Sequence, residues 1–424
     1  MEGIYNNPEH RLLGAHAVGA VGDGTLNVTL AAYAIKSLGL GEARLGIILS
    51  VAWAVAFVCS SFLGSLADAV GLRRAAVAGA LVVTVAASGL TLVHSPLGIG
   101  AVLVVYAIAQ TSLTGVRQAL VMSLIPAPHA VAMRGRIQVA MNAGMGAGAA
   151  LAGVTLAFLP PAAWVANFAV DALAFVGAAS LFATLPHIPR RGRASVADNL
   201  PSLRRIGVPS RKLASAAGLQ SVLLLYMPML TTGLPLAALH AHAPAWTIAL
   251  LFVLNTGGVI AVQGRAAARV TDDRSAADSL RRGGKGLLIS CIFVAASAAW
   301  WQAAPVLLLG AVIMQVLAEV RISAGTWHVG FALADRERPG YSHGVLSSAF
   351  PLARSAGPLV FTSLVVAAGP VGWIGLGIAF SAAGSAYSVL ADEPPSAQPR
   401  EKVTRGPAGL RVSPHGAATI RGMH

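Results

Sequence analysis

Gly64-Ser65-Leu66-Ala67-Asp68-Ala69-Val70-Gly71-Leu72-Arg73-Arg74 is the stretch whose reading decides the fold. It separates two apolar runs, 45–63 and 75–93. Each is close to the roughly 20 residues a helix needs to cross a bilayer. Gly64 lets two helices approach closely, and Gly71 permits a tight turn at low steric cost. Asp68 can cap the next helix or pair with a cation on the same face. Arg73 and Arg74 are placed to sit among lipid phosphates. The stretch reads as a connection at a membrane surface.

The remainder of the 424-residue chain fits that setting: 56% of it is hydrophobic and only 11% charged. Its mean hydropathy is +0.71. A soluble domain carries about 25% charged residues, so this chain could not cover a water-facing surface. Apolar runs fall at 13–36, 45–63, 75–93, 98–121, 137–159, 162–185, 213–236, 245–263, 286–303, 305–332, 344–367 and 371–391, numbered here as spans 1 to 12. The least regular lies around Pro228 and Pro235. These runs predict an all-α integral membrane protein with twelve transmembrane helices.

A formal net charge of +14 would suit nucleic acid, but its distribution does not. Basic residues gather at Arg73 and Arg74, Arg134 and Arg136, Arg190 through Lys212, Arg265 through Lys285, Arg336 and Arg338, and from Arg400 onward. The alternate connections, near His94, Pro160-Pro161, His240 and Gly369-Pro370, are nearly bare, with only Lys36 and Arg44 on that side. This is the positive-inside pattern, which places both termini and every basic connection in the cytoplasm. Membrane lipid is the expected partner, and nucleic acid is not. Ala-rich composition with Arg favoured over Lys suggests a high-GC bacterium, hence the inner membrane. Cys59 and Cys291 lie inside apolar runs and read as packing residues, with no disulfide or metal-ligand spacing. Span 1 contains Asp23 and lacks a clear cleavage site, so it is expected to remain in the mature protein.

An internal repeat divides the chain. Laying residues 106–164 on 315–373 without a gap pairs Gly135 with Gly344, Gly148 with Gly357, Pro161 with Pro370 and Trp164 with Trp373. Spans 4–5 thereby match spans 10–11, one six-helix unit apart, and a site is expected where such repeats meet. The implied organisation is a cytoplasmic N-terminus (1–12), a six-helix bundle (13–185), a basic cytoplasmic linker (186–212), a second bundle (213–391) and a disordered basic tail (392–424).

Glycine, leucine, aspartate, glycine and a basic pair at the spacing found in 64–74, between spans 2 and 3, resemble the signature loop of the major facilitator superfamily. Ala69 and Leu72 depart from it, standing where that family commonly has basic residues. The resemblance extends over about residues 11–391. It implies two six-helix bundles, alternating access, and spans 1, 4, 7 and 10 around a central cavity. Gly144, Gly146, Gly148 and Gly153 partly resemble the glycine-rich span 5 of antiporters, and the usual Gly-Pro pair appears instead at Gly357-Pro358. Small residues in a helix interface explain most of that signal.

Ionisable groups inside hydrocarbon are costly, which makes them the functional candidates. Asp23 lies near the middle of span 1, beside Gly22, Gly24, Thr25 and Asn27. A carboxylate there is suited to binding and releasing protons or to touching substrate. Glu319 and Arg321 in span 10 diverge by about 200° on a helix, and Arg354 in span 11 is at comparable depth. Glu319 is expected to pair with Arg354, or with Arg321 by bending. Gln110, matched to Glu319 by the repeat, and Asn255 are candidate cavity contacts. Asn167 and Asp171, one turn apart in span 6, read as a structural hydrogen-bonded pair. Arg117 is expected to snorkel to the cytoplasmic surface. Trp327 and His328 read as interfacial anchors.

The leading function is proton-coupled export of a small amphipathic compound, a drug or secondary metabolite, by a monomer without cofactor. Uptake by symport or uniport is the alternative on the same fold. A membrane-embedded enzyme is the remote third class, because the histidines are scattered with no convergent spacing such as HExxH.

Overall fold

In hydrocarbon the backbone has no hydrogen-bond partner except itself, and the chain answers by folding as helix almost throughout. The structure, a computed structural model, describes residues 8–40, 42–158, 163–186, 209–335, 337–363 and 368–392. Most of the expected linker, the whole tail beyond residue 392 and residues 1–7 lie outside the described residues.

In chain order the helices are α1 (Pro8–Lys36), α2 (Glu42–Val70), α3 (Leu72–Gly89), α4 (Pro96–Leu124), α5 (Ala127–Phe158) and α6 (Ala163–Ala183). After them come α7 (Arg211–His240), α8 (Ala245–Ala268), α9 (Asp273–Ala299), α10 (Ala304–Leu333), α11 (Pro339–Ser347 and Ala349–Ser363) and α12 (Gly369–Asp392). Ten of these are long and apolar enough to cross a membrane. The other two, α1 and α11, are respectively notched by polar residues around Asp23 and interrupted at Ser348. The irregularity around Pro228 and Pro235 resolves into a π-helical turn, Met229–Gly233, inside α7.

Several helices run further than the apolar runs. Residues 64–70 are the last turns of α2, and only Gly71 breaks the rod, with φ 100°. That backbone conformation is open to glycine and strained for side chains carrying a Cβ. Arg134 and Arg136 likewise belong to α5 rather than to a loop, and Arg274 through Lys285 to α9. The starts are set by side-chain caps. Ser95 accepts the Gly98 N–H ahead of Pro96 in α4, and Asp272 and Ser275 cap α9 reciprocally.

Packing repeats with the same six-helix offset that the sequence shows. The pairs α1–α5, α1–α6, α2–α4, α3–α4 and α3–α6 recur as α7–α11, α7–α12, α8–α10, α9–α10 and α9–α12. One apolar core runs through Leu12–Leu185, and another is drawn almost wholly from Leu213–Tyr387. Between them, α2 crosses α11 and α8 crosses α5, again related by six. The matched glycines do matched work. Gly148 brings α5 onto the Val21 carbonyl of α1, and its repeat mate Gly357 brings α11 onto Pro228 of α7. Gly146 and Gly153 face open space instead, so the glycine-rich stretch is an interface on one side only.

A Gly148→Val substitution should therefore cost about 1–3 kcal/mol through overpacking, read as a lower melting temperature of purified protein in detergent, while Gly146→Val should leave it unchanged. At the α9 start, the Ser275 backbone N–H and hydroxyl hold the Asp272 carboxyl below the usual carboxylate range. The stabilisation is therefore complete above about pH 4 and is lost as pH falls through the lower folded value. Asp272→Ala should lower the melting temperature near neutrality, with the gap from wild type closing in acid.

Candidate functional site

Two places combine polar chemistry with contacts between the halves. The first is at the Asp68 end of the molecule. A helix begins with unsatisfied N–H groups and a partial positive charge, and Asp68 serves that need for α11 rather than for the adjacent α3. Its Oδ1 accepts the Gly340 N–H at 2.7 Å and its Oδ2 the Tyr341 N–H at 2.8 Å. Gly64 allows this by letting α2 lie directly on the backbone at Gly340 and Gly344. Arg338 stacks over the Tyr341 ring at 4.4 Å. Arg73 donates to the Leu185 carbonyl at 3.1 Å, tying α3 to the end of α6, while Arg74 stays exposed. The segment singled out in the sequence is a latch between the two halves.

The second place is buried in the bundle. Asp23 on α1 is half-buried, and its Oδ1 accepts the Tyr106 hydroxyl at 2.9 Å and the Gln110 amide, both from α4. Gln110 also donates to the Tyr106 oxygen at 2.9 Å. Spacing i, i+4 puts both α4 groups on one face, turned toward α1. Arg354, also half-buried, approaches from α11 across the boundary between halves. Its guanidinium lies over Trp53 of α2 at 4.6 Å and over Phe350 at 5.3 Å, near enough to act electrostatically on Asp23. The two rings meet edge to face, at 85°, around the guanidinium.

Glu319 does not pair with Arg354 or with Arg321. Its Oε2 accepts the Asn255 amide of α8 at 3.2 Å, and Arg321 turns back to the Leu317 carbonyl at 2.9 Å. The expected pair fails because Arg354 points at the α1–α2 side, where the aromatic rings and Asp23 are. Gln110 and Glu319 do not meet either. Each serves its own half, with Asp23 in one and Asn255 in the other.

Three further expectations are corrected by packing. Arg117 does not snorkel: it is 4% exposed, with Phe175 and Phe182 each 5.9 Å from its guanidinium. Depth on α4 decides this, since α1 and α6 close over it. Arg134, grouped with the basic connections in the sequence, is also buried and lies over Trp327 at 5.1 Å. Asn167 and Asp171 are not bonded to each other. The Asn167 oxygen accepts the Thr155 hydroxyl at 2.8 Å, and Asp171 is left with neither oxygen bonded. His328 bonds Asp273 at 2.7 Å across the starts of α9 and the end of α10.

Sequence reasoning missed Tyr106, Trp53 and Phe350. The i, i+4 spacing of Tyr106 and Gln110 was a signal for the first. Nothing local marks the other two, which matter only because α2 and α11 cross.

The family model described as Major Facilitator Superfamily matches residues 12–358. Among solved structures, the human organic anion transporter MFSD10 (TETRAN) superposes with a TM-score of 0.72 at 17% identity, over 91% of this chain and 99% of that one. The proton:xylose symporter XylE, bound to 6-bromo-6-deoxy-D-glucose, gives a TM-score of 0.72 at 12% identity, over 90% and 95% of the chains. A bacterial homologue of the iron transporter ferroportin, in its outward-facing state, gives 0.71 at 15% identity, over 91% and 98%. At such identities the likeness is one of fold. No curated protein sequence matches the chain.

Replacing Asp68 by Ala strips two N–H groups of their acceptor, a loss of about 1–3 kcal/mol for charge-assisted bonds. Cysteine pairs placed across α2 and α11 should then cross-link about tenfold less readily than in the otherwise wild-type background.

Proposed function

The chain belongs to the major facilitator superfamily, whose members are transporters rather than enzymes, and on that premise we propose that it is a proton-coupled exporter of a small amphipathic compound. Asp23 carries the reading. It is a half-buried carboxylate in the middle of an apolar helix, held in place by Tyr106 and Gln110. The proton adds to Asp23 from one side of the membrane and leaves to the other, and substrate takes the site when the proton is absent. A one-unit pH gradient supplies about 1.4 kcal/mol per proton. Around it Tyr106, Gln110 and Arg354 supply polar contacts beside the apolar rings of Trp53 and Phe350, a mixture suited to an amphipathic drug or metabolite.

The basic connections favour an orientation with the Asp68 latch and both termini on the cytoplasmic side of a bacterial inner membrane. In that orientation the closed latch fits an outward-facing form, ready to take up a proton. The protein acts as a monomer, each chain holding its own site between its two halves.

Uptake by proton symport is the second reading, and Arg354 favours it. An anionic substrate bound at that guanidinium would sit best beside a protonated Asp23, so both would travel together. The two readings separate in vesicles: an exporter moves substrate against the proton flow, a symporter along it.

Asp23→Asn should abolish transport driven by a pH gradient by at least tenfold in proteoliposomes. Substrate exchange without a gradient should continue, and the variant should purify as the wild type does. Undiminished gradient-driven transport would remove Asp23 from the coupling role.

A further inference from the structure

One buried ionisable group has no task in this mechanism. Asp171, halfway along α6, is 0% exposed, and neither of its carboxyl oxygens has a hydrogen-bond partner. Its Oδ1 lies against Gly22 of α1, where a side chain would collide with it. Gly22 immediately precedes Asp23. α1 is thus pared down at the one position that admits a second carboxyl beside the first.

Among the described residues no cation is paired with Asp171. From α1, Asp23 acts on Asp171 electrostatically. From α4, the Tyr106 hydroxyl donates to Asp23, and both carboxyls act electrostatically on that phenol. Arg117, also on α4, acts on Asp23, while its Nε and Nη2 remain unbonded beside Gly19. From α3, the Thr84 hydroxyl is spent on the Ala80 and Ala172 carbonyls. On α6 itself, the Asn167 oxygen is taken by Thr155 of α5 and its amide nitrogen is unbonded. An ionised carboxylate without a donor in such a setting is prohibitively expensive. Asp171 is therefore suited to keeping its proton, while Asp23, half-buried and bonded by Tyr106 and Gln110, is fitted to carry the charge. Two carboxyls whose surroundings differ in this way divide the roles of acid and base.

We propose that Asp171 is a second proton-binding carboxyl of the transport site, exchanging its proton with Asp23 across the Gly22 gap. In that step the O–H bond on Asp171 breaks and the proton adds to a carboxylate oxygen of Asp23. The negative charge moves the other way, and the total is unchanged. Asp171 is sealed from solvent, so its proton enters and leaves by way of Asp23. Neighbouring like charges resist double ionisation, and the pair titrates as a unit in two steps. This inference rests on the reading of Asp23 as the proton acceptor and adds a second group to it.

The test uses the full chain in proteoliposomes, with infrared spectroscopy beside transport. Asp171→Asn mimics the neutral acid in shape and should assemble. The wild type should show a protonated-carboxyl C=O band near neutral pH that vanishes in Asp171→Asn and persists in Asp23→Asn. The pH profile of gradient-driven transport should collapse from two ionisations to one in Asp171→Asn, and Asp171→Glu should restore both the band and the two-step profile. An unaltered band in Asp171→Asn, or a pH profile identical to wild type, would overturn the proposal and leave Asp171 a packing residue. Should Asp171→Asn fail to assemble, a displaced band in Asp171→Glu supports the assignment and an undisplaced one defeats it. Gradient-driven transport that survives Asp23→Asn would defeat the reading of Asp23 and the exchange with it, even with the Asp171 band in place. Loss of that transport with no band assigned to Asp171 would defeat this inference alone.

Discussion

Hydrocarbon offers a polar group neither water nor a hydrogen bond, and each charge within the bundle has had to find its own solution. Asp23 is held by a hydroxyl and an amide from one neighbouring helix. Glu319 takes an amide from another. Arg354, Arg117 and Arg134 lie over aromatic rings. Asp171 has none of these. The polar groups of the site are arranged by this constraint before any substrate is considered.

The same constraint shapes how the halves meet. Buried backbone at a helix start must be capped, and the cap for α11 comes from Asp68 on the other half. A bond of that kind is strong enough to hold one arrangement and weak enough to be exchanged for another. Arg354 adds a second inter-half contact deeper in the bundle, over Trp53 and within electrostatic reach of Asp23. A change of charge on Asp23 is therefore felt by a residue that belongs to the opposite half, which is the physical requirement for linking proton binding to movement between halves.

Much of the architecture was legible because it is periodic or local. Spans of about 20 apolar residues are written in composition. The repeat survived as glycine, proline and tryptophan coincidences, and Gly148 and Gly357 prove to do equivalent work against α1 and α7. Helix ends were less legible, because Ala-rich sequence carries the helix past the apolar run as far as Gly71. Asp23 and Asp68 stand out by position alone, and each proves to bond a neighbouring helix.

Partners could not be read in this way. Glu319 and Arg354 have matching charge and similar depth, yet the crossing of α2 with α11 turns Arg354 toward Trp53 and Asp23 instead. Arg117 has the look of a surface-seeking side chain until α1 and α6 close over it. The stretch 64–74 shows the division most clearly. By itself the sequence determined that this is a turn at a membrane surface, with an acidic residue one turn before a glycine that alone tolerates φ 100°. Only the tertiary structure decided that Asp68 caps α11 rather than the helix beside it, because a cap is chosen by which N–H groups lie within about 3 Å, and that is a property of packing.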